Sequence, residues 1–135
     1  MASVSNAKLT VSHDHGKHLV TPVVTCDVTF SKMEFCQMKT CEVRNIFKLR
    51  CQIWGEDGFL NPDDFLYEYT PKFFPDSTPQ QSESVKFEVT LGESVLDEDD
   101  SFFNKRDEVY GKLILTNRET GQTSNAKTNV VKHHF

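Results

Sequence analysis

The segment "CEVRNIFKLRCQI" (residues 41–53) sets Cys41, Val43, Phe47, Leu49, Cys51 and Ile53 on one side of an extended chain. Glu42, Arg44, Lys48, Arg50 and Gln52 fall on the other side. Apolar and polar residues that alternate with period two mark a half-buried strand. Upstream, Val24, Cys26, Val28 and Phe30 alternate with Thr25, Asp27, Thr29 and Ser31 in the same way. The two segments match as a hairpin, with residues 23–31 antiparallel to 46–54. Val24 then opposes Ile53, Cys26 opposes Cys51, Val28 opposes Leu49 and Phe30 opposes Phe47, while Asp27 faces Arg50 on the far side. A buried face fixes such a register, since a slip of one residue would turn it to solvent. The parity breaks at Met33 and Phe35, which predicts a bulge or a wider loop at the tip.

The same register sets Cys36 opposite Cys41. Either cysteine pair could close a cross-strand disulfide, and the commoner alternative is four small buried hydrophobes. No Cys-x-x-Cys occurs, which argues against a zinc knuckle or a thioredoxin-type site.

Strands are also expected at 6–11 (Ala7, Leu9, Val11 inward), 64–70 (Phe65, Tyr67, Tyr69), 84–91 (Val85, Phe87, Val89, Leu91) and 108–116 (Val109, Leu113, Leu115). The turn "NRETGQTS" precedes a last strand that runs to about Val131. Prolines 62, 71, 75 and 79 punctuate an irregular middle from Gly55 to Ser84, expected to hold one strand and long loops. Helical periodicity is not expected anywhere. Short strands with turn signals between them predict an all-β fold, an antiparallel β-sandwich or Greek-key barrel, as one domain over residues 1–135.

Eleven phenylalanines in 135 residues supply apolar material for one core without metal or disulfide staples. A net charge of −5 argues against a nucleic-acid partner bound through phosphate neutralisation. No apolar run approaches the roughly 20 residues of a membrane span. The opening "MASVSNAKLT" lacks the layout of a secretory signal, so a cytoplasmic location is expected, with a processed secreted form as the alternative.

Two acidic stretches stand out: "GEDGFLNPDDF" (55–65) and "VLDEDDSFFNKRDEVYG" (95–111). Each begins where a predicted strand stops. Calcium takes several oxygen ligands at about 2.3–2.6 Å, and clustered Asp side chains on loops supply them. The second stretch resembles the third calcium loop of C2 domains, with Asp97, Asp99 and Asp107 at the acidic places and Gly111 opening the next strand. The first is similar to that family's first calcium loop, with Asp57 and Asp63 six apart, although the Pro-Tyr that follows there is Asp64-Phe65 here. The resemblance covers these two segments only. It implies calcium held by Asp57, Asp63, Asp97, Asp99 and Asp107, and docking on phospholipid headgroups. Phe59, Leu60, Phe102 and Phe103 would be the apolar tips, beside Lys105 and Arg106. Without a ligand, the same residues would make two solvated acidic loops, with the aromatics folded back onto the core.

Histidines gather in "HDHGKH" (His13, His15, His18) and near the C-terminus (His133, His134). His13 and His15 lie on one side of an extended strand and could share a zinc with His18 or His134. No Gly-x-Ser-x-Gly elbow and no Gly-rich phosphate loop occur, so an enzyme is not expected. The expected function is a non-catalytic binding module that attaches to a membrane surface through calcium. The alternative is a lectin-like, carbohydrate-binding protein that uses the same loops on a glycan. Oligomeric state has no local signature in the sequence.

Overall fold

The computed structural model describes residues 1–40, 45–56, 62–76, 78–96 and 107–133, with Asp107 described by its backbone alone. Along the chain, β1 (Ser3–Asp14) and β2 (Leu19–Thr29) form an antiparallel hairpin. Helix α1 (Lys32–Thr40) follows, then β3 (Phe47–Gly55), β4 (Asp64–Glu68) and β5 (Lys72–Phe74). Next come β6 (Ser82–Glu88), the short β7 (Leu91–Gly92) and a 3-10 turn at Glu93–Val95. The chain closes with β8 (Asp107–Asn117), β9 (Thr123–Lys127) and β10 (Val131–His133). One sheet has β2 at its centre, flanked by β1 on one side and by β6 and β7 on the other. In the second sheet β8 and β3 are central, with β4 and β5 beyond β3, and β9 and β10 beyond β8. All pairings are antiparallel, and the sheets pack face to face as an all-β sandwich.

The alternation that predicted inward faces places them correctly. Val24, Cys26, Val28 and Phe30 are buried from the first sheet, and Phe47, Leu49, Cys51 and Ile53 from the second. Their partners differ from the expected hairpin. β2 and β3 lie in different sheets, and β3 runs beside β8, with Cys51 opposite Leu113 rather than Cys26. The matched apolar faces therefore meet across the core instead of along a ladder. The rings of Phe30 and Phe47 touch at 4.8 Å between centroids. On the outward faces, Asp27 accepts from Asn6 Nδ2 (2.7 Å) and Ser84 Oγ (3.1 Å), while Arg50 donates to Glu68 Oε1 (2.7 Å). The expected Asp27–Arg50 pair is thus replaced by separate contacts within each sheet.

The cause of the crossing is local. Ser31 and Glu34 form a capping box: the Ser31 N–H donates to Glu34 Oε1 (2.8 Å) and the Glu34 N–H to Ser31 Oγ (3.1 Å). α1 starts where a hairpin tip was expected and carries the chain to the other sheet. Burial works against the charge of Glu34, but the Ser31 N–H and hydroxyl and the Ala2 N–H outweigh it and hold the carboxyl below its usual range.

Cys26 and Cys51 are buried free thiols, whereas Cys36 is exposed on α1, correcting the expectation of a buried residue there. Cys41 lies outside the described residues. Burial, with Asp27 nearby, pushes the Cys26 thiol up to about 11. The Cys51 thiol is driven up as well, by burial and then by Cys26.

Two ties hold the sheets in register. Tyr69 donates its backbone N–H to Cys51 O (2.9 Å) and its hydroxyl to Pro22 O (2.6 Å) in the opposite sheet. Pro22 lacks an N–H, and it sits where the β6 ladder has ended at Val23 and that of β7 begins at Val20. Gly111 is the second tie. A Cβ there would lie 2.9 Å from Thr128 Cγ2 and 3.2 Å from Val24 Cγ2, so only glycine lets the layers approach this closely. It sits inside β8, four residues after the strand has begun, and does not open it as the C2-like reading implied.

Candidate functional site

β3 ends at Gly55, which pairs with Asp64 where β4 begins and with Val109 near the start of β8. The Glu56 N–H donates to Glu108 O at 2.8 Å. The described ends of the first stretch and the C-terminal flank of the second (107–111) therefore lie side by side at one end of the second sheet, whereas Val95, which opens the second stretch, lies in the 3-10 turn after β7. Asp63 is held there by the Tyr110 hydroxyl, which donates to its Oδ2 at 2.5 Å. Burial and then the Asp63 carboxylate push the Tyr110 phenol well above its ordinary range, so it remains a donor. Asp57, Asp97, Asp99, Phe59, Leu60, Phe102, Phe103, Lys105 and Arg106 lie outside the described residues. Asp107 contributes only its place as the first residue of β8.

Beside this end, the outer face of the second sheet carries a row of rings and amines that the sequence reading missed. Lys127 Nζ stands 4.0 Å over the Tyr110 ring, and Lys112 Nζ 5.4 Å over Trp54. Trp54 meets Phe65 edge to face, with centroids 5.7 Å apart. Phe65 was expected inward and is 53% exposed. The register slips between Ile53 and Trp54, so Ile53 pairs with Tyr67 but Trp54 with Phe65, and the bulge turns Phe65 outward. Trp54 Nε1 donates to Gln52 Oε1 (2.9 Å), and Gln52 Nε2 donates to Glu68 Oε1 (2.7 Å). These bonds fix the indole with its outer side half exposed. The Gln52 and Arg50 donors hold the Glu68 carboxyl below its usual range.

A third group lies at the edge where β1 and β10 approach each other. Asn129 builds it: the Leu9 N–H donates to Asn129 Oδ1 (2.9 Å), and Asn129 Nδ2 donates to Leu9 O (3.1 Å). One side-chain amide thus satisfies both backbone groups on the outer edge of β1, as a strand residue would. The next strand, β10, pairs with β8 through Val131–Val109 and His133–Asp107. His133 then reaches His13, with His13 Nδ1 and His133 Nε2 3.1 Å apart. The rings of His13 and His15 lie 3.7 Å apart between centroids. Glu93 bridges two histidines, at 2.7 Å from His13 Nε2 and 2.8 Å from His18 Nδ1. Those bonds, His13 first, hold its carboxyl below the usual range.

His13 and His15 come together as the sequence predicted. The third member is His133, while His18 goes to Glu93 and His134 lies outside the described residues. Strand parity carried the signal: Val131 and His133 share a side of β10, which Lys132 does not.

No protein-family model matches the chain, and no curated protein does. Among solved structures it is similar to the GH3 β-glucosidase of Bifidobacterium adolescentis, at 10% identity and a TM-score of 0.39, over 96% of this chain and 17% of that one. It is also similar to β-glucosidase 3B of Thermotoga neapolitana, at 13% identity and a TM-score of 0.36, over all of this chain and 17% of that one. The chain spans about a sixth of these enzymes' length, and likeness at this level does not bear on its activity. Among the described residues, no helix is long and apolar enough to cross a membrane.

Proposed function

We propose that this chain is a non-catalytic binding module that attaches to anionic phospholipid headgroups through calcium held between its two acidic segments. The observation that supports this reading is the Glu56–Glu108 backbone bond. It sets the first segment beside the C-terminal end of the second, as a shared cation would require. The two segments are rich in carboxylates, the oxygen chemistry a hard cation takes. Asp57, Asp63, Asp97, Asp99 and Asp107 would hold the ion. Phe59, Leu60, Phe102 and Phe103, with Lys105 and Arg106, would meet the lipid surface.

A second reading, carbohydrate binding, draws on the Trp54–Phe65 pair beside Lys112. Ring faces on a sheet surface suit sugar rings. Co-sedimentation with phosphatidylserine vesicles separates the two. The lipid reading expects pelleting in calcium, loss in chelator, and weakened pelleting when Phe102 and Phe103 are both changed to Ser. A protein that ignores the vesicles and binds a glycan array instead would transfer the function to the second reading.

A further inference from the structure

We propose that His13, His15 and His133 form a site for zinc or a similar borderline divalent cation, which differs from the acidic end in its donor chemistry although His133 pairs with Asp107, and which fastens the two sheets together at their open edge. The nitrogen atoms these residues offer lie within 4.8 Å of one another. Tetrahedral zinc at about 2.0–2.1 Å from each nitrogen sets its ligands about 3.3 Å apart. His13 Nδ1 and His133 Nε2, at 3.1 Å, need to move by only a few tenths of an ångström. His15 is exposed in the turn after β1, where its ring can swing to complete the third position.

Glu93 supplies the feature that separates this group from a chance cluster. Its carboxylate lies 2.7 Å from His13 Nε2, and the His13 side chain is only 4% exposed. In a neutral imidazole the proton given to Glu93 sits on Nε2, which leaves the lone pair on Nδ1, the atom aimed at His133. A carboxylate behind a ligating histidine fixes the tautomer and ring orientation and raises ligand basicity. The position of Glu93 is fixed in turn: its N–H donates to His18 O (2.9 Å), and its other carboxylate oxygen meets His18 Nδ1.

When metal binds, it takes the place of the His13–His133 contact. His133 then carries its proton on Nδ1 and offers Nε2. The fourth position falls to water or another small ligand. Imidazole ligands favour zinc, nickel and copper over calcium. His13 belongs to β1 of the first sheet and His133 to β10 of the second, so the ion would cross-link the layers.

The test is zinc binding to the tag-free chain, measured by competition with a chromogenic chelator and by the visible spectrum of the cobalt form. One zinc per chain is expected, with a tetrahedral cobalt band and a melting temperature raised by several degrees in excess zinc. His15→Ala sits in an exposed turn and should fold normally, and His133→Gln provides a second variant. Each should weaken zinc binding by at least about tenfold, and millimolar calcium should not compete. Wild-type affinity in both variants, or no zinc retained against the chelator by the unaltered protein, would overturn the proposal.

Discussion

The acidic end and the histidine edge are assembled by different means. Each acidic segment is continuous in the sequence, and β3, β4 and β8 bring the first beside the C-terminal end of the second through their ladders. The histidine edge draws on β1 and β10, whose ligand residues lie 120 positions apart, with a carboxylate from a third segment. One region offers oxygen donors and the other nitrogen donors, so on the proposed readings they would select different cations. Density of charge in the sequence points to the first. The second exists only through topology, and its anchor is an asparagine with no motif around it.

Breaking that anchor should separate the two regions most sharply. Asn129→Ala leaves the N–H and carbonyl of Leu9 without their side-chain partner, at a cost of about 2–3 kcal/mol in urea denaturation. It should also weaken zinc binding, because β10 loses its tether to β1, while the calcium response of the acidic end persists. Equal loss of both responses would mean that the regions are not independent.

The converse variant has a smaller effect. Tyr110→Phe removes the hydroxyl that holds Asp63, and should cost about 1 kcal/mol by the same measurement. It should reduce the calcium-induced rise in melting temperature and leave zinc affinity unchanged. A diminished zinc affinity in this variant would count against the division drawn here.

Much of the architecture was legible in strand parity, because burial of one face imposes period two wherever a strand packs. The inward residues of β2, β3 and β8 follow from it directly. Parity does not name the partner strand, so two apolar faces matched across the core read equally well as two strands of a hairpin. The deciding signal was Ser31-x-x-Glu34, a capping box overlooked between two strong strand patterns. Phe65 was misplaced for a related reason, since a bulge reverses parity without leaving a mark in the alternation.

At the candidate sites, His13 and His15 were legible as neighbours in the sequence, although His15 falls in the turn after β1. His133 required knowing that β10 lies beside β1. The Trp54–Phe65 row depended on the same bulge that turned Phe65 outward. The acidic residues were legible as clusters, and the adjacency of the first to the C-terminal end of the second became visible only in the β3–β8 register.

The claim that the acidic end is a cation site is tested most directly by thermal melting with calcium and with chelator. Neighbouring carboxylates repel one another, and an ion that binds only the folded state stabilises it by mass action. Calcium far above its dissociation constant should raise the melting temperature by several degrees. Changing Asp97 and Asp99 together to Asn should abolish that response and slightly raise the melting temperature in chelator, because repulsion is relieved. Superimposable melting curves for the unaltered protein in calcium and in chelator would contradict the account.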